Sequence, residues 1–456
     1  MEQSHTTPAE TPSNAETSND VGLRFMLLGL AALAAALLLG VVGAFKFLYP
    51  EFMEGLPFHK IRPLHVSLAV SWIFLTAIGG IYYYLPNFCG LSLFSGRAAR
   101  WHFWIFVVTG LAILGAYLTG RFGGREYWEF PPALAVPIFL TWIMFGINYF
   151  RTVVKLRTAW PVYLWMWGTG IVFFFVSFSE SYLWLLPYFR ENMVREISVQ
   201  WKSYGTLVGS WNMLVYGTAI FVMQKIGGDE DVARSKMVFG LYFLGLFNLM
   251  FGWAHHVYPV PLAEWVRNFA YAVSMTELFI LGKIIWDWRR SLSTRRKFRH
   301  RRPYRFLYAA DIWIFINLVL ALLISVPALN LFIHGTHVIV AHTMGATIGI
   351  NTMILLASVF FVIEQRVGEG AENRHAGLVD AGFWLANGSL VVFLAALLAA
   401  GLVKGTYVGE SFYDMMESIE PFLLLFAVSG VGLMLGLWLV LLPAMVRIGA
   451  LVFPRG

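Results

Sequence analysis

The segment 334–349, HGTHVIVAHTMGATIG, is apolar enough to span a membrane, yet it carries side chains of types that bind metals. Those side chains are His334, His337, His342 and Met344. Polar and ionisable groups at membrane depth are costly and usually serve a function. Imidazole and thioether groups are ligands for haem iron and for transition metals. The segment therefore predicts a helix that carries haem or metal ligands.

The composition indicates an integral membrane protein. Of the 456 residues, 58% are hydrophobic and only 13% are charged, whereas soluble domains carry about 25% charged residues. The single cysteine, Cys89, excludes an intrachain disulfide and any cysteine-based cluster or zinc site. Metal chemistry in this chain must therefore use histidine, carboxylate or methionine.

Twelve apolar runs are long enough to cross a bilayer as helices. They predict an all-α, polytopic bundle of twelve transmembrane helices in one membrane domain, 21–456, after a polar tail, 1–20, that we expect to be disordered. The runs fall near 23–48, 63–86, 102–119, 132–150, 160–185, 204–224, 237–257, 265–286, 306–329, 334–363, 380–402 and 421–446.

The basic residues predict the orientation of the bundle. With the N-terminus inside, 23 of the 33 Lys and Arg residues lie on the inner side and 10 on the outer side. The run 288–305 alone holds eight Arg and one Lys. A nucleic-acid site is one interpretation of this run, but between two membrane helices it is better explained as a topology anchor. Both termini are therefore predicted to be cytoplasmic, with no nucleic-acid partner.

Six of the eleven histidines gather at one depth of the predicted bundle. His65 opens the second span, His255 and His256 close the seventh, and His334, His337 and His342 begin the tenth, all at the outer side. A single histidine of this kind is usually a hydrogen-bonded structural residue. Several inward-facing histidines on different helices instead predict a haem held inside a bundle.

Four motifs carry a resemblance to a known family. They are RPLHVSLAVSW (62–72), REYWEFP (125–131), WAHHVYP (253–259) and HGTHVIVAH (334–342). With them the chain resembles, over essentially all twelve spans, the large haem-bearing subunit of cytochrome c-dependent nitric oxide reductases, within the haem-copper oxidase superfamily. The resemblance implies a multi-pass protein of the bacterial inner (plasma) membrane.

The resemblance also implies roles for single residues. His65 matches an axial ligand of the low-spin haem b, His342 the proximal ligand of the high-spin haem b3, and His255 and His256 two ligands of a non-haem iron (or copper). His334 and His337 lie at the outer mouth, where they would hydrogen-bond propionates or water.

Two glutamates match functional positions of the family. Glu129, with Glu126 as the nearby alternative, matches a ligand of a calcium ion that bridges haem propionates; an ordinary loop carboxylate is the other interpretation. Glu277, in MTELF, matches a buried glutamate, which implies a role in proton handling or beside the metal. A structural hydrogen bond is the alternative for Glu277.

Helix six departs from the family pattern. Where the family has HLWVEG, residues 212–217 read NMLVYG, so Asn212 replaces the third metal-binding histidine and Tyr216 replaces a glutamate. Ile220 replaces a second glutamate. Since these positions are four residues apart, one helix face has lost its imidazole and both carboxylates.

Met344 is the other departure. The family has AHxH where this chain has AHTM, which places Met344 at the second axial position of haem b. Residues i and i+2 of a helix point about 200° apart, so His342 and Met344 would face two different haems. The alternative is that Met344 only fills space in the packing.

The resemblance predicts an oxidoreductase that reduces NO to N2O and water. Electrons would arrive from a soluble cytochrome c through a membrane-anchored cytochrome c subunit, since the chain has no CxxCH motif. Tyr216 keeps O2 reduction or NO dismutation open as alternatives. A non-catalytic electron-transfer or gas-sensing protein and a transporter are two further classes. No inner channel of carboxylates is evident, which suggests proton uptake from the outer side.

Overall fold

The computed structural model is an all-helical bundle. It describes residues 12–276, 297, 299–367, 375–409 and 411–453, with side chains from residue 21 onward. Fifteen α-helices lie in this part of the chain. They are α1 (Pro12–Phe45), α2 (Phe58–Phe88), α3 (Gly96–Leu118), α4 (Ala135–Val153), α5 (Val162–Glu180), α6 (Pro187–Arg190), α7 (Met193–Gly227), α8 (Lys236–Phe251), α9 (Glu264–Ser274), α10 (Arg301–Ser325), α11 (Pro327–Ile333), α12 (His337–Met344), α13 (Met353–Val367), α14 (Ala376–Thr406) and α15 (Phe412–Val452).

The all-α membrane fold is confirmed. Among the described residues, eleven helical stretches are long and apolar enough to cross a membrane, and each overlaps one of the predicted spans. The remaining predicted span, the eighth at 265–286, begins with α9 and continues outside the described residues. Glu277 and most of the basic run 288–305 also lie outside them.

The helices run up and down between two ends that differ in chemistry. We call one the histidine end, where α1 and α8 finish and α2 and α12 begin. We call the other the basic end, where α3 and α10 begin at Gly96 and Arg301. Charge predicts that the basic end faces the cytoplasm. All six clustered histidines lie towards the histidine end.

Close packing of α1 on α2 depends on two glycines. A Cβ atom on Gly22 would lie 2.7 Å from the Gly79 carbonyl oxygen, and a Cβ on Gly79 would lie equally close to that of Gly22. Small residues let backbones of membrane helices approach and gain van der Waals contact. This contact fixes α2, which carries His65, against α1.

Two helices extend beyond the apolar runs that predict them. The backbone of α1 begins at Pro12, so part of the predicted tail 1–20 is helical; a helix grows cheaply from a nucleus that already exists. Helix α7 begins at Met193, eleven residues before its apolar run, because the Asn192 side chain caps it by accepting from the Arg195 amide at 3.0 Å.

A π-helical segment, Gly345–Thr352, joins α12 to α13. It starts directly after Met344. Single π turns inside α-helices are rare and frequently mark functional sites. The tenth predicted span is therefore three helical pieces, α12, the π segment and α13, and its regularity changes directly after Met344.

Candidate haem and metal site

The HGTH motif forms the turn that starts α12. Gly335 has a positive φ of 73°, a conformation that glycine adopts without steric cost. The Thr336 side chain then accepts a hydrogen bond from the Val338 amide at 3.3 Å and caps the helix. The local sequence thereby starts a helix whose first two turns carry His337, His342 and Met344.

Four of the predicted histidines form one cluster. The rings of His255 and His256 have centroids 4.3 Å apart and planes inclined by 31°. Both rings interact electrostatically with His342 and His334. His334 is also held against the Trp201 indole, with centroids 5.3 Å apart. The predicted convergence of the seventh and tenth spans is present in the fold.

His65 is oriented by α1. Its Nδ1 lies 2.8 Å from the carbonyl oxygen of Ala36, to which it donates. A Cβ atom on Gly40 would lie only 2.8 Å from the His65 ring, so a side chain there would displace the imidazole. A histidine that donates through Nδ1 to a carbonyl presents Nε2 as a ligand. His65 therefore fits an axial ligand of haem.

One hydrogen bond joins α2 to the π segment that follows Met344. The Trp72 indole of α2 donates to the Thr352 hydroxyl at 3.0 Å. Met344, which directly precedes the π segment, is partly buried against the main core. A haem held between the His65 imidazole and the Met344 thioether stays a prediction.

His342 points elsewhere in the bundle. Its Nδ1 is buried, and no described residue completes a well-formed hydrogen bond to it, although the backbone of Asn317 in α10 lies beside it. The ring retains accessible surface deep inside the protein, so it lines internal space. A buried imidazole facing internal space fits the proximal ligand of a second haem.

The non-haem metal site is incomplete in the part of the chain that the structure describes. A Cβ on Gly205 of α7 would lie 3.0 Å from the His256 ring, and Asn212 and Tyr216 lie on the same face of α7, two and three turns further towards the basic end. No group of three or more His, Cys, Asp or Glu side chains that could hold a metal occurs among the described residues. Two imidazoles and a neutral amide do not by themselves make a metal site.

Glu129 and Glu126 both pair with one guanidinium. Arg62, three residues before His65, donates Nη1 to Glu129 Oε1 at 2.7 Å and Nη2 to Glu126. The other oxygen of Glu129, Oε2, is buried with no partner among the described residues. Burial raises the pKa of the Glu129 carboxyl despite the opposing effect of Arg62. Calcium takes six to eight oxygen ligands, of which Glu129 offers one, so calcium coordination here stays a prediction.

Arg62→Met is expected to lower the free energy of unfolding by about 1–3 kcal/mol, the usual penalty for a buried polar group left without its partner. Without the guanidinium, the pKa of the Glu129 carboxyl rises further above its unfolded-state value. A group with a raised folded pKa stabilises the fold at low pH and loses that contribution as pH rises. The difference in melting temperature between native protein and variant should therefore widen from acidic to neutral pH.

A double variant is the control for this prediction. Arg62→Met with Glu129→Gln removes the uncompensated charge and should recover most of the lost stability at neutral pH. Equal melting temperatures for the single and double variants at every pH would contradict a buried ion pair at Glu129.

The groups that position the site residues were not predicted from the sequence. Ala36 and Gly40 hold His65 from a helix that carries no ligand, and Arg62 stands beside its glutamates only because α2 passes the 125–131 loop. The RxxH spacing of Arg62 and His65 was the one sequence feature that could have indicated a role for Arg62. Glu277 lies outside the described residues, so its role stays a prediction.

The fold and the histidine cluster together define a membrane bundle built to hold haem between helices. Comparison with known proteins gives the family. The chain matches the family Cytochrome C and Quinol oxidase polypeptide I over residues 20–435, and it belongs to that family. It is thus a catalytic subunit of the haem-copper oxidase superfamily, a multi-pass membrane protein of the respiratory oxidases. Members typically bind two haems and a non-haem iron or copper, and pair with cytochrome c subunits or donors.

Individual relatives are distant and include two types of enzyme. The chain is 22% identical to a nitric oxide reductase subunit of Stutzerimonas stutzeri over 92% of this chain and 93% of that protein. It is also 22% identical to a Cbb3-type cytochrome c oxidase subunit of the same organism, over 84% of each. A heme-copper terminal oxidase dimer solved by cryo-EM shares the fold, with a TM-score of 0.74 at 15% identity over 93% of this chain and 84% of that one.

Proposed function

We propose that this chain is the catalytic subunit of a divergent nitric oxide reductase, which reduces NO to N2O and water. The observation that carries the proposal is the single cluster of His255, His256, His334 and His342, with Met344 two residues after His342 on the same helix. The full-length likeness to a nitric oxide reductase subunit supports the substrate. We further propose a membrane-anchored cytochrome c subunit as partner and a soluble cytochrome c as donor.

The candidate ligands fall into two groups, one for each proposed haem. His65 and Met344 would hold haem b, and His342 would hold haem b3. When bound, the haems supply the electrons and the iron to which the gas binds. The chain's own contribution is orientation: Ala36 and Gly40 fix the His65 ring, and the Asn317 backbone lies beside His342.

The imidazoles of His255 and His256 lie in the cluster with His342, and each neutral ring has one N–H donor and one acceptor nitrogen. His255 Nδ1 lies 3.5 Å from the Ser274 hydroxyl. Combining two NO molecules into N2O and water consumes two protons, so groups that can pass a proton on at this place suit the reaction. No step is assigned to a non-haem metal, because the described residues do not complete its site.

Reduction of O2 is the second candidate function, and Tyr216 favours it. Its side chain is partly buried on the same α7 face as Gly205, which lies beside His256. A phenol donates a proton readily and can also give up an electron, which the cleavage of O2 requires and the coupling of NO does not. The likeness to cytochrome c oxidase subunits supports this candidate.

Purified protein distinguishes the two candidates when NO and O2 consumption are measured with one electron donor and the metal content is determined on the same sample. Faster turnover of NO, with N2O as product, supports the proposed function. Turnover of O2 alone supports the second candidate. Haem without turnover of either gas would leave an electron-transfer or sensing protein.

Asn212→His with Tyr216→Glu is expected to complete a metal site on α7. The change returns an imidazole and a carboxylate, four residues apart, to the face opposite His256. Bound non-haem iron should rise towards one equivalent per chain, measured by elemental analysis. Asn387→His on α14, where Asn387 accepts from the Trp313 indole at 2.8 Å, is the matched control and should leave the metal content unchanged. Equal metal in all three proteins would refute the placement of α7.

A further inference from the structure

A recess with basic walls lies at the basic end, between α10, α13, α14 and α15. We call it the basic recess. It encloses about 340 Å³ of free space and is partly open to the outside. Its walls carry Arg302 of α10, His375 directly before α14 and Arg447 of α15, all three of them partly buried. Its floor is apolar and includes the buried side chains of Phe360, Ile363 and Val379.

The basic recess lies where three membrane helices have their ends. Helix α10 begins at Arg301, α13 ends at Val367 and α14 begins at Ala376. The headgroup regions of a bilayer lie directly outside its hydrocarbon core, at the level where spanning helices leave the apolar layer. The basic recess is therefore at the depth of the phosphate groups of the leaflet at the basic end.

The charge around the basic recess is positive. Asp380, next to the floor residue Val379, pairs with Arg301 at 3.3 Å and with Arg305 at 2.5 Å. Glu364 lies 3.0 Å from the His300 ring. Together with the two arginines of the recess, four arginines stand against these two carboxylates among the described residues at this place. The excess of positive charge favours an anionic ligand.

We propose that the basic recess binds the phosphate group of an anionic phospholipid from the leaflet at the basic end. A guanidinium presents its N–H groups in a planar fork that matches phosphate oxygens, and Arg302 and Arg447 offer two such forks from different helices. His375 adds a ring N–H as a further donor. Basic pockets between membrane helices at the cytoplasmic side are typical sites for anionic lipid headgroups.

The apolar floor favours a lipid over a free phosphate ion. The glycerol and acyl carbons that follow a lipid phosphate bury apolar surface against such side chains, whereas an inorganic ion has no apolar part. The bound lipid joins the ends of α10, α14 and α15. Since a ligand that binds only the folded protein stabilises it, the lipid also raises the stability of the bundle.

Native mass spectrometry of the purified full-length protein counts bound lipid molecules directly. The probes are phosphatidylglycerol and phosphatidylcholine at equal concentration. We expect one phosphatidylglycerol molecule to stay bound at collision energies that remove phosphatidylcholine, and the bound fraction to fall several-fold in Arg302→Gln and in Arg447→Gln. Because these two variants lie on different helices, either one tests the proposal if the other does not fold.

Arg100→Gln is the matched control for lipid binding. It removes the same charge from the same end of the bundle, but at the exposed start of α3 outside the basic recess. Arg100→Gln should bind phosphatidylglycerol as the native protein does, and Arg447→Lys, which keeps the charge, should keep most of the binding. No preference for phosphatidylglycerol, or an equal loss in Arg100→Gln, would overturn the proposal.

Inorganic phosphate distinguishes a lipid from a free ion. Thermal unfolding is followed in phosphatidylcholine vesicles, in vesicles that also contain phosphatidylglycerol, and in phosphatidylcholine vesicles with inorganic phosphate at matched ionic strength. We expect phosphatidylglycerol alone to raise the melting temperature of the native protein and of Arg100→Gln by several degrees, with no rise in Arg302→Gln or Arg447→Gln. An equal rise with inorganic phosphate, or an equal rise in every variant, would overturn the lipid site.

Discussion

His342→Ala is expected to abolish the high-spin haem that binds CO while leaving the low-spin haem in place. His342 is the one described histidine of α12 that lies in the cluster with His255 and His256 and faces internal space. Its ring is the sole protein ligand proposed for haem b3, whereas haem b has two. Loss of the imidazole should therefore remove the whole difference between the reduced and the CO-bound spectra.

His337→Ala provides the matched control on the same helix. His337 begins α12, and its ring lies 6.1 Å from that of Phe47 at the histidine end. Removing it should leave CO binding intact, because it lies at the mouth of the site. CO binding that survives His342→Ala, or is lost equally in both variants, would contradict the assignment of His342.

The spans were predictable because their information is local. A window of apolar residues is sufficient to identify a membrane helix, and for this reason eleven predicted runs coincide with helices of the structure. The start of α7 was not predictable from hydropathy, since its first three turns include Arg195, Glu196 and Lys202. Asn192, a good N-cap residue, was the sequence feature that could have indicated where α7 starts. No local sequence pattern predicts the π segment.

The candidate ligands were recognisable from their residue types, but their surroundings were not predictable. Histidines at one depth on three helices are visible in a sequence, whereas the Ala36 carbonyl that orients His65 lies 29 residues away and is a backbone atom. The hydrogen bond from Trp72 to Thr352 was not predictable for a related reason. It joins residues 280 positions apart, and no local sequence pattern indicates it.

Met344→Ala is expected to lower the reduction potential of the low-spin haem and to change its visible spectrum. A thioether ligand stabilises ferrous haem relative to a second imidazole, and axial ligands move haem potentials over a range of roughly 0.8 V. Alanine would leave His65 as the only ligand, so the haem should become high-spin and bind CO. Redox titration of the low-spin band, with magnetic circular dichroism to identify the sulfur ligand, measures both effects.

Two substitutions at the same position separate ligation from packing. Met344→Leu keeps a side chain of similar volume against the core but removes the sulfur, so it should reproduce the spectrum of Met344→Ala. Met344→His supplies an imidazole at the proposed ligand position and should restore a six-coordinate, low-spin haem at a potential below that of the native protein. A native spectrum and potential in Met344→Leu would show that the thioether only fills space, and haem b would then require a ligand other than Met344.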